Sequence, residues 1–419
     1  MDNMVRAGSI YSLHTIRFSV VSLFILLGLL RISGFNFYLA QLLGMPVEIN
    51  HLGGGAFNFI NYIATSSLLL CIALTWQRLY TKWSSILPFV LLGAIYIINN
   101  LLTAYSNPTW LIYQLIYLTI ACFLHIYIRD SDYTVASYDN FLKYGFYIFL
   151  SYVLFCDIQI ILQYPMNYYI AEFNDAFVHA LDDFGVMKQQ FGYLLGFLLA
   201  YTLFVVRSRR VQIIALLIIA FTGLGIRSFV LGLIGASLFF LVRSPKKILF
   251  ALLLGAACLY LLRDSFVSEI IYDTRFYSYY NAFDIVQQFP FGVGLGGYPE
   301  YTEIFNRNLF ADFYSSEAIL DYIPIAPESD IVHVFGSLGL VLGIIHFVII
   351  GRIIWHGYNL QQYATPIEQA ILFFFCFMTF FGISEDSMFS IYYWIFFGLA
   401  SGVASKLLAT HQNTSHAAH

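Results

Sequence analysis

Polar positions are so sparse along most of this chain that neither strand-like alternation nor the three-to-four spacing of a surface helix emerges. Apolar residues come instead in long blocks. Twelve such blocks, at 15–31, 55–75, 85–104, 108–128, 142–163, 190–206, 211–226, 228–242, 247–262, 330–350, 367–384 and 388–405, approach or reach bilayer-crossing length, which is roughly 20 residues of helix. A helix that is apolar all round is buried in a core or in lipid. The pattern predicts an all-α polytopic membrane protein, a single transmembrane domain over residues 1–419 with about twelve spans. The first block has no convincing cleavage site after it and reads as a retained signal anchor.

Composition decides between core and lipid. With 60% of residues hydrophobic and only 11% charged, no single soluble core would absorb the apolar surface. All five cysteines (Cys71, Cys122, Cys156, Cys258 and Cys376) lie in apolar blocks, which argues against a disulfide framework or a zinc cluster. No metal or other cofactor is expected, and no basic patch points to nucleic acid.

Charge fixes the sidedness. With a cytoplasmic N-terminus, fourteen of the twenty Lys and Arg fall inside, the connections RSRR (207–210) and RSPKK (243–247) carrying most of the excess. This is the positive-inside asymmetry, and it predicts both termini in the cytoplasm. The segment 32–54, with Gly53, Gly54 and Gly55, leaves the span count open by one pair.

Two outside loops are long, 164–189 and 263–329, and long loops are where function concentrates. The second holds an expected amphipathic helix, on which Phe276, Tyr280, Phe283 and Val286 share one face and which Pro290 ends. Such a helix would lie on the membrane surface or roof a cavity. The following FPFGVGLGGY (289–298) lacks the Lys-Ser/Thr and preceding strand of a phosphate loop. It reads as a flexible turn whose backbone could contact a ligand.

A few polar side chains stand out against the apolar background. Arg227 sits between two apolar blocks, either reaching for the outer headgroups or offering its planar fork to a phosphate. Arg275, two residues after Asp273, either pairs with that aspartate or does the same phosphate job from the loop side. His333 follows Asp330 by three residues and Glu328 by five, so Asp330 and His333 share a helical face. Either His333 is an interfacial histidine held by its neighbour, or it is a general base, its near-neutral imidazole oriented by a carboxylate. Gly336, Gly339 and Gly343 suggest close helix packing beneath it. Glu385 and Asp386 mark the outer end of another span, as a solvated turn or as a second carboxylate source, and Asp157 is an acid within the span 142–163, a functional candidate for that reason.

Three of these pieces resemble, in order, motifs of the O-antigen polymerase and ligase superfamily. TGLGIRSFVLGLIG (222–235) resembles its small-residue, arginine-containing span. RFYSYYNAFDIVQQFPFGVGLGGY (275–298) resembles the stretch that ends its large periplasmic loop, and HVFGSLGLVLGIIHF (333–347) resembles its histidine helix, with Val334 where that pattern has Asn and Ile226 where it has Ser before the arginine. The likeness covers about residues 215–350.

The resemblance implies a GT-C-like fold in the bacterial inner membrane and an inverting glycosyltransferase that uses neither metal nor nucleotide sugar. Arg227 and Arg275 would bind the diphosphate of an undecaprenyl diphosphate-linked glycan, and His333 would activate the acceptor hydroxyl, with Asp330 as its orienter. Donor and acceptor would both be lipid-linked, and a chain-length regulator and a flippase would be pathway partners. Of the two branches, the divergent Tyr- and Phe-rich loop favours the polymerase over the ligase that transfers to lipid A core. A lipid-linked oligosaccharide flippase is the alternative of another class, although no internal repeat supports it.

Overall fold

The computed structural model describes residues 83–103, 105–130, 136–163, 188–223, 226–240, 274–306, 329–383, 388 and 391–417. Among them every regular element is helical: α1 (Trp83–Leu102), α2 (Pro108–Asp130), α3 (Ala136–Gln163), α4 (Lys188–Phe204), α5 (Arg209–Gly223), α6 (Arg227–Phe240), α7 (Thr274–Gln288), α8 (Gly297–Tyr301), α9 (Asp330–Leu360), α10 (Pro366–Phe381) and α11 (Ile391–Ala417). Each expected span that falls on described residues coincides with a helix. The expected spans 15–31, 55–75 and 247–262, and nearly all of the loop 164–189, lie outside the described residues. Among the described residues three helical stretches, Pro108–Ile126, Asp330–Tyr363 and Tyr393–Gln412, are long and apolar enough to cross a membrane, consistent with a membrane protein.

The chain divides into two units. The first comprises Met1–Trp83, Ile126–Val230 and Ala364–Phe374. Within it α3, α4 and α5 pack on one another, with Phe146 stacked on Tyr201 at 4.9 Å and Phe197 edge-on to Phe374 at 5.9 Å. The RSRR connection is a tight turn: Gln212 at the start of α5 reaches back with its amide to the Val206 carbonyl (2.5 Å).

The second unit comprises Ser84–His125, Leu231–Tyr363 and Phe375–His419. Polar side chains tie its helices together through the apolar interior. Tyr96 of α1 meets His346 of α9 (3.3 Å), His125 of α2 meets Ser401 of α11 (2.9 Å), and the Trp394 indole of α11 donates to Gln114 of α2 (3.0 Å). Bonds of this kind contribute up to about 2 kcal/mol each in an apolar medium. The small residues of α6 serve packing here, because Gly232 and Gly235 leave room for the rings of Phe377 and Phe380 from α10.

The expected span 330–350 is not one straight helix. At Gly339 the backbone adopts φ 72°, ψ −176°, a combination that glycine alone adopts readily. Phe335 and Phe347 would stand about 18 Å apart along a straight helix, yet their ring centroids are 5.5 Å apart. The two parts of α9 therefore fold toward each other, the break leaving 330–338 on one side and 340–360 on the other. The close packing that Gly336, Gly339 and Gly343 suggest is present at all three, against three different partners rather than along one straight helix. Gly336 lies against the Tyr298 ring, Gly339 against the backbone of residues 290–292, and Gly343 against Phe335 of its own helix.

A break frees backbone groups that must bond elsewhere. The glycine-rich turn after α7 takes them. Val293 N–H donates to the Gly336 carbonyl (2.9 Å), Gly294 N–H to the Ser337 carbonyl (3.0 Å), and Leu340 N–H donates in return to the Pro290 carbonyl (3.1 Å). Asn99 of α1 locks the junction, its amide nitrogen donating to both Phe291 O (2.7 Å) and Ser337 O (2.9 Å). Within the turn 289–298, the amides of Val293 and Gly294 are thus committed to α9, while those of Gly292 and Gly297 bond within the turn itself.

α7 forms where the sequence places it and ends before Pro290, and the face that carries Tyr280 and Phe283 is not the one it turns inward. Ser278, Asn281, Ala282 and Ile285 are buried, while Tyr280 and Phe283 are exposed. The reason is close packing: small residues let α7 lie against α9. With Val293, Tyr298, Tyr301 and Val332 the inner face builds a local core. Asn281 donates to the Tyr298 hydroxyl and the Thr302 hydroxyl, both at 2.9 Å.

Candidate functional site

His333 lies one turn into α9 and is buried. Its ring faces the edge of Trp110 from α2, centroids 5.8 Å apart at 64°. Trp110 is in turn pressed by the glycine turn, for a Cβ on Gly296 would fall 2.6 Å from the indole. Tyr298 abuts the same short helix at Gly336. Thus Trp110 of α2, backed by the turn, meets the imidazole edge-on, and α8 packs on the same short helix at Gly336.

Asp330 begins α9 after the N-cap Ser329, whose hydroxyl accepts from Ile331 N–H (3.2 Å). An acid in a helix's first turn suits the local dipole. Its backbone N–H donates to Gly382 O (2.8 Å), and its carboxylate Oδ1 accepts from Met388 N–H. Asp330 therefore anchors the corner between α10 and α11. Tyr279 of α7 grips the same corner, its hydroxyl 2.6 Å from Ile383 O and 2.9 Å from Ser329 Oγ.

Beside this corner is a cavity of about 240 Å³. Its walls are apolar, from Phe335, Phe347, Phe380 and Met388, with Asp330 and Thr379 as polar elements. Asp330 opens onto this cavity, whereas His333 is not among its lining residues. A carboxylate at the edge of an apolar pocket is the usual composition of a small-molecule site.

The two roles of Asp330 are separable by substitution. Asp330→Asn keeps an oxygen that accepts from Met388, so thermal stability should stay within about 1 kcal/mol of wild type. Asp330→Ala leaves a buried N–H unpaired and should cost about 1–3 kcal/mol. Turnover reduced tenfold or more in Asp330→Asn at unchanged stability would identify a positioning role, and unchanged turnover would leave only the anchor.

The other expected site residues are distributed as follows. Arg275 stands in the first turn of α7, one helical turn before Tyr279, and is described in its backbone only. Arg227 begins α6 and belongs to the first unit, again described in its backbone only. Glu328, Glu385 and Asp386 lie outside the described residues. Asp157 is buried in the first unit against Thr222, whose hydroxyl lies 3.0 and 2.9 Å from the two carboxylate oxygens and also 2.8 Å from Ile218 O.

The structure thus brings together the segments that carry Arg275, Asp330 and His333, all in the second unit. It adds three side chains that the sequence alone does not single out: Asn99, Trp110 and Tyr279. Asn99 and Asn100, a polar pair at the end of an apolar block, were the available signal.

Among the described residues no group of three or more His, Cys, Asp and Glu gathers to hold a metal ion. Outside the spans, burial, with the Asp284 carboxylate and Tyr105 behind it, raises the Tyr301 phenol above its ordinary value. It donates to Gln288 at 3.3 Å. No family model matches the chain, and no curated protein matches it in sequence.

Proposed function

We propose that this chain is a bacterial surface-polysaccharide polymerase, an inner-membrane glycosyltransferase of GT-C-like fold. It has about twelve spans, both termini in the cytoplasm and its active site facing the periplasm. It transfers a growing glycan from undecaprenyl diphosphate to the non-reducing end of a lipid-linked repeat unit. In the displacement, an acceptor hydroxyl attacks the anomeric carbon, the bond from that carbon to the diphosphate oxygen breaks, and the hydroxyl proton passes to His333. Arg275 and Arg227 would hold the negative charge that gathers on the leaving diphosphate, the kind of stabilisation that usually contributes most to such reactions.

The observation that supports this reading most is the packing of α7 and its glycine turn directly onto the His333 segment. Tyr279, one turn after Arg275, bonds Ser329, the residue before Asp330. A phosphate-binding arginine and a base would then work within one local assembly. Glu328, Glu385, Asp386 and Asp157 stand as further carboxylates of the reading.

A lipid-linked oligosaccharide transporter is the second reading, and the break in α9 favours it, since discontinuous helices commonly build transporter sites. Against it, the backbone groups released at Gly339 are bonded to residues 290–294. The ligase branch differs only in its acceptor. Deletion of the gene in a host with a dispensable surface glycan separates the three. Single-repeat material supports the polymerase, core lacking any repeat points to the ligase, and lipid-linked repeats retained on the cytoplasmic side would favour the transporter.

A further inference from the structure

We infer that the outward face of α7 and the turn that follows it rest in the boundary layer of a phospholipid bilayer, so that the long loop is docked on the membrane. The inference is independent of the catalytic reading. The two sides of α7 differ in composition and in exposure. Its inner side is small and partly polar and meets α9. The outer side presents Tyr280 and Phe283, which are 51% and 62% exposed, and Phe291 in the next turn is 44% exposed.

Continuity identifies what covers this side. Leu340 N–H bonds Pro290 O, so Phe291 stands where the second part of α9 begins. From that point α9 exposes Leu340, Val341 and Ile344, on a helix long and apolar enough to cross a membrane. Before the break, by contrast, residues 330–339 are buried or nearly so. Phe291, in the turn that continues α7, and the exposed stripe of α9 thus meet at the break.

Chemistry points to the interface rather than the bilayer centre. Gln287 and Gln288 are exposed and Asp284 half-exposed on α7, and these would be costly in hydrocarbon. Tyrosine is enriched at the level of the headgroups, and an outer side that sets Tyr280 and Phe283 among Asp284 and Gln287 suits that level, where apolar rings and polar groups are both accommodated.

The test replaces Tyr280, Phe283, Ile285 or Ile344, one at a time, by the photoreactive benzoylphenylalanine in the full chain. Each protein is placed in nanodiscs of phosphatidylethanolamine and phosphatidylglycerol, irradiated, and read for lipid adducts by mass spectrometry. Positions 280 and 283 should yield lipid adducts comparable to 344, and position 285 only links within the protein. Adducts at 344 with none at 280 and 283 would overturn the inference, whether those two link to other segments of the chain or to nothing. Failure at all of 280, 283 and 344 would overturn it as well, by removing the lipid-facing stripe on which the continuity rests.

Discussion

Gly339→Ala should abolish stable folding of the second unit, whereas Gly351→Ala in the same helix should not. At Gly339 a Cβ would fall 2.2 Å from the Pro290 carbonyl oxygen and 2.4 Å from Gly292 N, both backbone atoms that no side-chain rotation can move. The positive φ of 72° adds its own cost, of order 1–3 kcal/mol for a residue with a side chain. Overpacking adds about 1–3 kcal/mol. The sum, about 2–6 kcal/mol, is a large fraction of the roughly 5–15 kcal/mol that keeps a domain folded.

The close approach is reciprocal, which makes it diagnostic. Gly292, at φ 74°, would place its Cβ 2.3 Å from the Ser337 carbonyl oxygen, so Gly292→Ala should fail in the same way. Gly351 has nothing within 4 Å of a new Cβ, and alanine there should be neutral or stabilising by up to about 1 kcal/mol. The readout is the thermal transition of detergent-purified protein. A wild-type transition in Gly339→Ala would contradict the break and the turn docked on it.

His333→Gln should leave the fold intact and remove the activity. Glutamine approximates the volume of the imidazole and keeps a donor and an acceptor, and the substitution gives up the edge-on pairing with the Trp110 ring, about 0.5–1.5 kcal/mol. A general base, by contrast, contributes about 10²–10⁴ in rate. Polymer formation should therefore fall by at least two orders of magnitude, roughly, while the thermal transition moves little. Arg275→Lys should retain less activity than charge alone would allow, because an ammonium cannot reproduce the two-point contact of a guanidinium with phosphate. Equal turnover in wild type and His333→Gln would remove His333 from the reaction.

Much of the architecture was legible because apolar blocks of span length admit few alternatives. Pro108 opens α2, Pro366 opens α10, and Pro290 follows the end of α7, each where the fixed φ of proline would put a boundary. What was illegible was direction. On α7 the larger apolar residues, Tyr280 and Phe283, point outward, and Ser278, Asn281 and Ala282 point inward. In a membrane protein, apolar periodicity does not tell the core from the lipid side, since both are apolar and the core side favours small residues. The Gly336, Gly339, Gly343 spacing was equally ambiguous, because a packing stripe and a helix break read alike until the partner of each glycine is known.

The candidate site was legible in its chemistry and not in its geometry. Asp330 and His333 do share a short helical segment, as their spacing requires. That the Asp330 carboxylate would bond Met388, fifty-eight residues on, has no local signature. Nor does the role of Asn99, whose two carbonyl partners lie 192 and 238 residues away along the chain.

The most direct test of the proposed activity is incubation of the purified protein in nanodiscs with a defined undecaprenyl diphosphate-linked repeat unit, scored for chain length by mass spectrometry. Wild type should give a ladder of lipid-linked products two repeats and longer, and His333→Gln inserted at the same level should leave the substrate unextended. Substrate left at a single repeat by a well-folded wild type, across a panel of repeat units that includes the host's own, would contradict the proposed activity.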